Sequence, residues 1–374
     1  MDSVEPQMKF TLRSIVRVIA VSFFGLIGLL IIVIGAGLGY RAWRQQQTAE
    51  QIAIVMPNGI DERLFVRIGG IEQWTTIRGN DRDAPAILFV HGGPGVPNSP
   101  LNAVFAQWEK KFVVVQWDQR GAGRTYSRSG PLADDVTIDR MAQDGIEVAD
   151  YIRRHLHKDK IIVFGVSWGS DLGVRMVKAR SDLFLAYVGT AQIVGRGGTA
   201  VGYRQLLARA RAKNDTETIK ILEASPPPYR DDDKFSEFET LALTYESHGR
   251  NPFVDLLPGL LFSPDYNLKD IWAVIGPPRR SSNVHFFGAK MDGPFATEDL
   301  YLLGTDFATP IFIFQGAEDD LTPALIARSW FDAIKAPKKA FELIPGEGHG
   351  ALISQPQIFI KLMEEHVLPL ARTQ

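Results

Sequence analysis

The chain has 374 residues, 45% of them hydrophobic and 22% charged, with a formal net charge of −2 and no cysteine. That composition is ordinary for a globular protein, and the length suits one large domain or one domain carrying a sizeable insertion. Near-neutral charge argues against a sequence-independent grip on nucleic acid, which draws on a strong basic excess; the missing cysteines exclude disulfides, thiolate metal sites and cysteine nucleophiles.

In chain order, a short tail (1–17) precedes "VIAVSFFGLIGLLIIVIGAGLGY", residues 18–40, which contains no charged residue. About 20 apolar residues in a helix span a bilayer core, and the run is too long for the apolar stretch of a cleaved signal peptide. It reads as one transmembrane helix. Its "GAGLG" is not a dinucleotide loop, because it sits inside the apolar run and lacks the third glycine at the required spacing. Lys9, Arg13 and Arg17 precede the span and Arg41 and Arg44 follow it. The positive-inside rule then places the N-terminus in the cytoplasm and the globular part on the exported side of the membrane.

A polar connector (41–52) leads to two strand-like runs, "RLFVRI" and "EQWTTI", separated by the Gly69-Gly70 turn. Short apolar runs come next at 86–90, 112–117, 160–165, 185–190, 310–315 and 340–345, with helical patterns between them, such as residues 141–156. Strands of this near-continuous apolar kind are buried on both faces of a mainly parallel sheet. The alternation predicts an open α/β fold, with a closing helix in "PQIFIKLMEEHVLPLA". Residues 193–305 break the rhythm. They look mostly helical, with "SPPPYRDDDK" and "GPPRRSS" as breaks, and are too long for a connection inside a compact domain. They predict a helical cap inserted between two parts of the core, 53–192 and 306–374.

Open α/β sheets bind ligands beyond the carboxyl ends of their strands, so the residues just past each strand carry the functional signal. "HGGPG" (91–95) succeeds the third run and "DQRGAGRT" (118–125) the fourth; "GVSWG" (165–169) ends the fifth; "GAEDDLTP" (316–323) and "PGEGHG" (345–350) close the last two. A serine, an acid and a histidine thus fall at three strand ends, in that order. Gly165-Val166-Ser167-Trp168-Gly169 fits a nucleophile elbow, the tight strand-to-helix turn that lifts a serine hydroxyl clear of the sheet. His349 is placed to take the proton from Ser167, with an acid holding the imidazole. Spacing alone leaves Glu318, Asp319 and Asp320 open for that acid. The backbone N–H of Trp168 and an N–H from the first loop, at Gly93, are the candidate oxyanion donors. Such a site needs neither metal nor organic cofactor.

Taken together, "HGGPG", "DQRGAGRT", "GVSWGS", "GAEDDLTP" and "GHG" resemble the proline iminopeptidase-like branch of the α/β-hydrolase superfamily, over residues 60–370. The resemblance implies Ser167 as nucleophile, Asp319 as acid and His349 as base, acting on a short peptide or other small substrate. It departs from that branch at Val166, where a glycine is usual. The branch uses acidic cap residues to hold the substrate's free amino group. Glu237, Glu239, Glu246 and Asp231–Asp233 are candidates, although a solvated helix face is the plainer expectation for all of them. An esterase on the same frame is the main alternative, and a non-catalytic binding module a third. Asp118 and Arg120 are expected to brace loops.

Overall fold

The computed structural model describes residues 12–195, 197–247 and 252–371. The first eleven residues of the expected tail, Lys9 among them, and residues 196 and 248–251 of the expected cap lie outside these. Helix α1, Leu12–Gln51, contains the apolar run, and from Ile19 it is long and apolar enough to cross a membrane. The connector expected over 41–52 is not a separate segment, because the helix runs through it to Gln51. Its residues are polar but are good helix formers. Arg41 bonds Gln45 at 3.1 Å and Gln46 bonds Glu50 at 3.0 Å, both one turn apart. The helix ends against the core: Ile52 is buried, and its carbonyl accepts from Arg78, whose guanidinium pairs with Glu109 at 2.7 Å.

Eight strands, β1 (Ile60–Ile68), β2 (Ile71–Gly79), β3 (Ala86–Val90), β4 (Val113–Trp117), β5 (Ile161–Val166), β6 (Phe184–Thr190), β7 (Ile311–Gly316) and β8 (Lys339–Ile344), form one sheet in the order β1-β2-β4-β3-β5-β6-β7-β8. β1 and β2 are an antiparallel hairpin in which Ile68 faces Ile71 across Gly69 and Gly70. Both glycines have positive φ, 54° and 85°, as a two-residue turn matched to strand twist requires. β2 pairs antiparallel with β4, and every later pairing is parallel.

Alternate residues of the inner strands feed two cores. Leu88, Val90, Val115 and Val163 pack on one face beneath helices α2 (Ile138–His155) and α3 (Trp168–Ala179). Ile87, Phe89, Val114 and Phe164 pack on the other, with Phe359 and Met363 of the closing helix. β8 departs from the expected burial on both faces. It is the sheet's last strand, and Leu343 is 52% exposed.

Between β6 and β7 the described residues form six α-helices: α4 (Gly198–Ala212), α5 (Thr216–Ala224), α6 (Asp232–Glu246), α7 (Pro252–Leu261), α8 (Leu268–Ile275) and α9 (Pro277–Phe287). "SPPPYRDDDK" ends in the cap of α6, where Asp231 accepts from Asp233 N–H at 2.8 Å. "GPPRRSS" is the junction of α8 and α9, with proline in the first turn, where its missing N–H has no helical acceptor to lose.

Candidate active site

The elbow is built by close backbone approach. Ser167, between β5 and α3, has φ 52° and ψ −121°, a conformation costly for a residue with a side chain and held here by its surroundings. Its N–H donates to Thr190 O at 3.1 Å, and Ser170 N–H donates back to Ser167 O at 2.7 Å. A Cβ on Gly165 would lie 2.6 Å from Gly169 O, and one on Gly169 would strike the carbonyls of Val90 and His91. The two glycines thus let α3 start directly over β3 and β5.

The loops after β7 and β8 bring the acid and the histidine to this serine. His349 Nε2 lies 3.1 Å from Ser167 Oγ, and its Nδ1 lies 3.1 Å from both carboxylate oxygens of Asp319. Asp319 is buried and fixed by four donors: Leu321 N–H (3.0 Å), Thr322 N–H (2.8 Å), Thr322 Oγ1–H (2.6 Å) and Gln315 Nε2–H (3.0 Å). Asp320 points instead to Arg209 of α4, and Glu318 lies 3.7 Å from the same guanidinium. Of the three acids left open by spacing, the structure sets only Asp319 against His349. Burial pulls the imidazole's pKa down. The charge and hydrogen bond of Asp319, with the charges of Glu246 and Glu239, outweigh it and push the value up to about 9.

The glycine-rich loops are wired to the elbow through buried polar groups. His91 Nε2 accepts from Gln119 N–H at 3.1 Å, so its Nδ1 carries the proton, donated to Gly92 O at 2.7 Å. Burial holds His91 neutral, with its pKa lowered to about 4. Gln119 Nε2–H donates to His91 O at 2.9 Å, and its Oε1 accepts from the indole of Trp168 at 2.9 Å. Trp168 is buried between Phe286 and Phe295 of the cap region, and as the first residue of α3 its N–H has no helical acceptor. Gly93, with φ 119°, lines a cavity of about 130 Å³ together with Ser167 and His349. Asp118 and Arg120 do brace loops. Asp118 accepts from Ser99, Tyr266 and Arg124 N–H, and Arg120 pairs with Asp144 at 2.9 Å.

The acidic cap residues divide. Glu237 pairs with Lys234 on the surface, while Asp232 and Asp233 face Arg280. The solvated-face expectation fails for Glu246, which is buried and accepts from His349 N–H at 2.6 Å and Asp320 N–H at 2.7 Å. Burial first, then the charge of Asp319, raises its pKa to about 7. It positions the histidine loop, a role with no signal in the sequence because the partner loop lies 103 residues away. Glu239, two turns earlier on α6, lines the cavity beside Ser167 and His349. A second chamber of about 390 Å³ shares Ile193, Phe235, Phe287 and Phe295 with the first and reaches Tyr229 and Met291. Among the described residues no group of three or more His, Asp or Glu has the arrangement of a metal site.

Comparison with known proteins agrees with this architecture. A family model described as alpha/beta hydrolase fold matches residues 85–356. A probable aminopeptidase of Bacillus subtilis (strain 168) is 26% identical over 312 residues, covering 80% of this chain and 94% of the relative. A probable proline iminopeptidase of Leptolyngbya boryana is 26% identical over 290 residues, covering 73% and 84%. Among solved structures, the proline iminopeptidase of Mycobacterium smegmatis superposes with a TM-score of 0.54 at 17% identity, over 81% of this chain and 97% of that one. A bacterial membrane phospholipase A superposes with a TM-score of 0.60 at 12% identity, over 93% and 98%. At such identities the superpositions speak for the fold alone.

Proposed function

Because this chain belongs to the α/β-hydrolase fold family, we propose that it is a membrane-anchored serine hydrolase that removes an N-terminal residue, proline or another small one, from peptides through an acyl-enzyme. The observation that carries this is the unbroken line from Asp319 through His349 to Ser167 Oγ. Ser167 Oγ attacks the carbonyl carbon while its proton passes to His349 Nε2. Asp319 holds the Nδ1 proton and offsets the imidazolium charge. The carbonyl oxygen becomes an oxyanion, received by the N–H groups of Trp168 and Gly93, each such donor contributing about 3 kcal/mol. When the tetrahedral species collapses, the C–N bond breaks and His349 returns the proton to the leaving amine. Water then enters with its proton taken by His349, and the ester to Ser167 Oγ breaks as that proton returns to the serine.

Preference for a free amino group rests on Glu239, a carboxylate in the same cavity as Ser167 and His349. The names of the two relatives favour the same reading. A second reading, an esterase, draws on the aromatic-walled second chamber, whose Phe235, Phe287 and Phe295 suit an apolar acyl or alcohol group. A paired assay of the purified full chain decides between them, with Ser167→Ala as control. One arm uses a proline arylamide with a free amino group, the other a short-chain p-nitrophenyl ester. Serine-dependent release from the arylamide is the expected result. Turnover of the ester alone would replace the peptidase reading by the esterase.

A further inference from the structure

Helix α1 does not leave the globular part as a free tether. At the point where its apolar run ends, it is clamped to the cap segment between α7 and α8. The Tyr40 ring meets Phe262 edge-on at 5.8 Å, and the Arg44 guanidinium lies 4.7 Å over the same ring. Arg41 Nη2–H donates to Tyr266 O at 2.6 Å, and Gln45 Nε2–H donates to Ser263 O at 2.6 Å. From Ile19 to Tyr40 the helix is about 33 Å long at 1.5 Å per residue, slightly more than the roughly 30 Å hydrocarbon core. Tyr40 and Trp43, both more than half exposed, therefore fall at headgroup depth, where aromatic side chains concentrate. The cap segment they hold falls at the same depth.

Two residues beyond Tyr266, α8 presents Leu268, Trp272 and Ile275 along a single face at helical spacing, 56%, 55% and 59% exposed. Its opposite face is buried through Ile271 and Val274. A tryptophan flanked by two aliphatic side chains in water is an uncovered apolar stripe. α8 is only about 12 Å long, so the stripe starts beside the anchor's clamp and stays close to it. We infer that the Leu268–Trp272–Ile275 face of α8 is a second membrane contact, seated in the bilayer interface next to the span, so that the cap rests on lipid. This rests on α1 crossing the bilayer. Apolar helix faces of this kind sit about 5–10 Å into the headgroup–acyl boundary. Tyr266 also donates to Asp118 at 2.5 Å, which ties the same cap segment to the loop after β4.

The chain has no native cysteine, so single cysteines report single positions. Leu268→Cys, Trp272→Cys and Ile275→Cys in the full chain would be spin-labelled, reconstituted into phosphatidylcholine vesicles, and read by electron paramagnetic resonance for collision with oxygen and with a water-soluble nickel chelate. Ile31→Cys in the span is the membrane reference. Ser329→Cys, on the exposed surface of the helix beside the far edge of the sheet, is the aqueous one. The expected result is oxygen-favoured collision at 268, 272 and 275, intermediate between position 31 and position 329. Nickel-favoured collision at all three, with position 31 still oxygen-favoured, overturns the inference and leaves the anchor standing. Protection from both reagents would mean that protein, such as a second copy of the chain, covers the face, and also overturns it. An aqueous signal at position 31 removes the anchor itself and the inference with it.

Discussion

At the scale of single residues, the site is a set of charges held by burial and by a few short hydrogen bonds. Asp319 and Asp320 are adjacent and both buried, yet only one faces the imidazole. Asp319→Asn is expected to lower kcat by about 10⁴-fold, because the imidazole loses its oriented tautomer. Asp320→Asn should leave kcat at the wild-type order of magnitude, so a comparable loss in both variants would contradict the assignment. Glu246 bears on the pH profile. Its charge helps hold His349 protonated up to about pH 9, and a general base works only when neutral. Activity, read as kcat/KM, should therefore rise with pH towards that value. Glu246→Gln removes one of the charges raising it, so the acid limb should move to lower pH. An unmoved limb would mean that Glu246 shapes the loop without tuning the base.

At the scale of elements, the strand ends do the positioning, and they are legible in the sequence to very different degrees. Inner strands such as "AILFV" and "IIVFGV" were legible because burial on both faces leaves no room for polar residues. The elbow was legible because Gly165 and Gly169 answer to backbone approaching from a known direction. Gly169→Ala is accordingly expected to cost about 1–3 kcal/mol or more through overpacking against β3, measured by denaturant unfolding; a neutral result would mean the turn relaxes freely. Two things stayed hidden. The stretch 41–51 has a linker's polarity but a helix former's propensities, and it is the cap it docks on that makes it a rigid continuation of α1. Glu246 sits in an acidic helix that reads as solvated, and its burial comes from a loop brought over it by the sheet.

At the scale of the whole molecule, an apolar helix, a cap clamped to its end and a serine site beneath that cap form one connected assembly. On the proposed anchoring, the chain in membranes should resist high salt and dissolve only with detergent, since an apolar helix seated in lipid is held by burial and not by charge; release by salt would count against the anchor. The central claim is that Ser167 is a nucleophile activated by His349. It is tested most directly by treating the folded full chain with a fluorophosphonate and locating the adduct by peptide mass spectrometry. One adduct is predicted, on Ser167, absent from Ser167→Ala and strongly slowed in His349→Ala. A folded chain that takes no label, or takes it on another residue while Ser167 stays free, would contradict that claim.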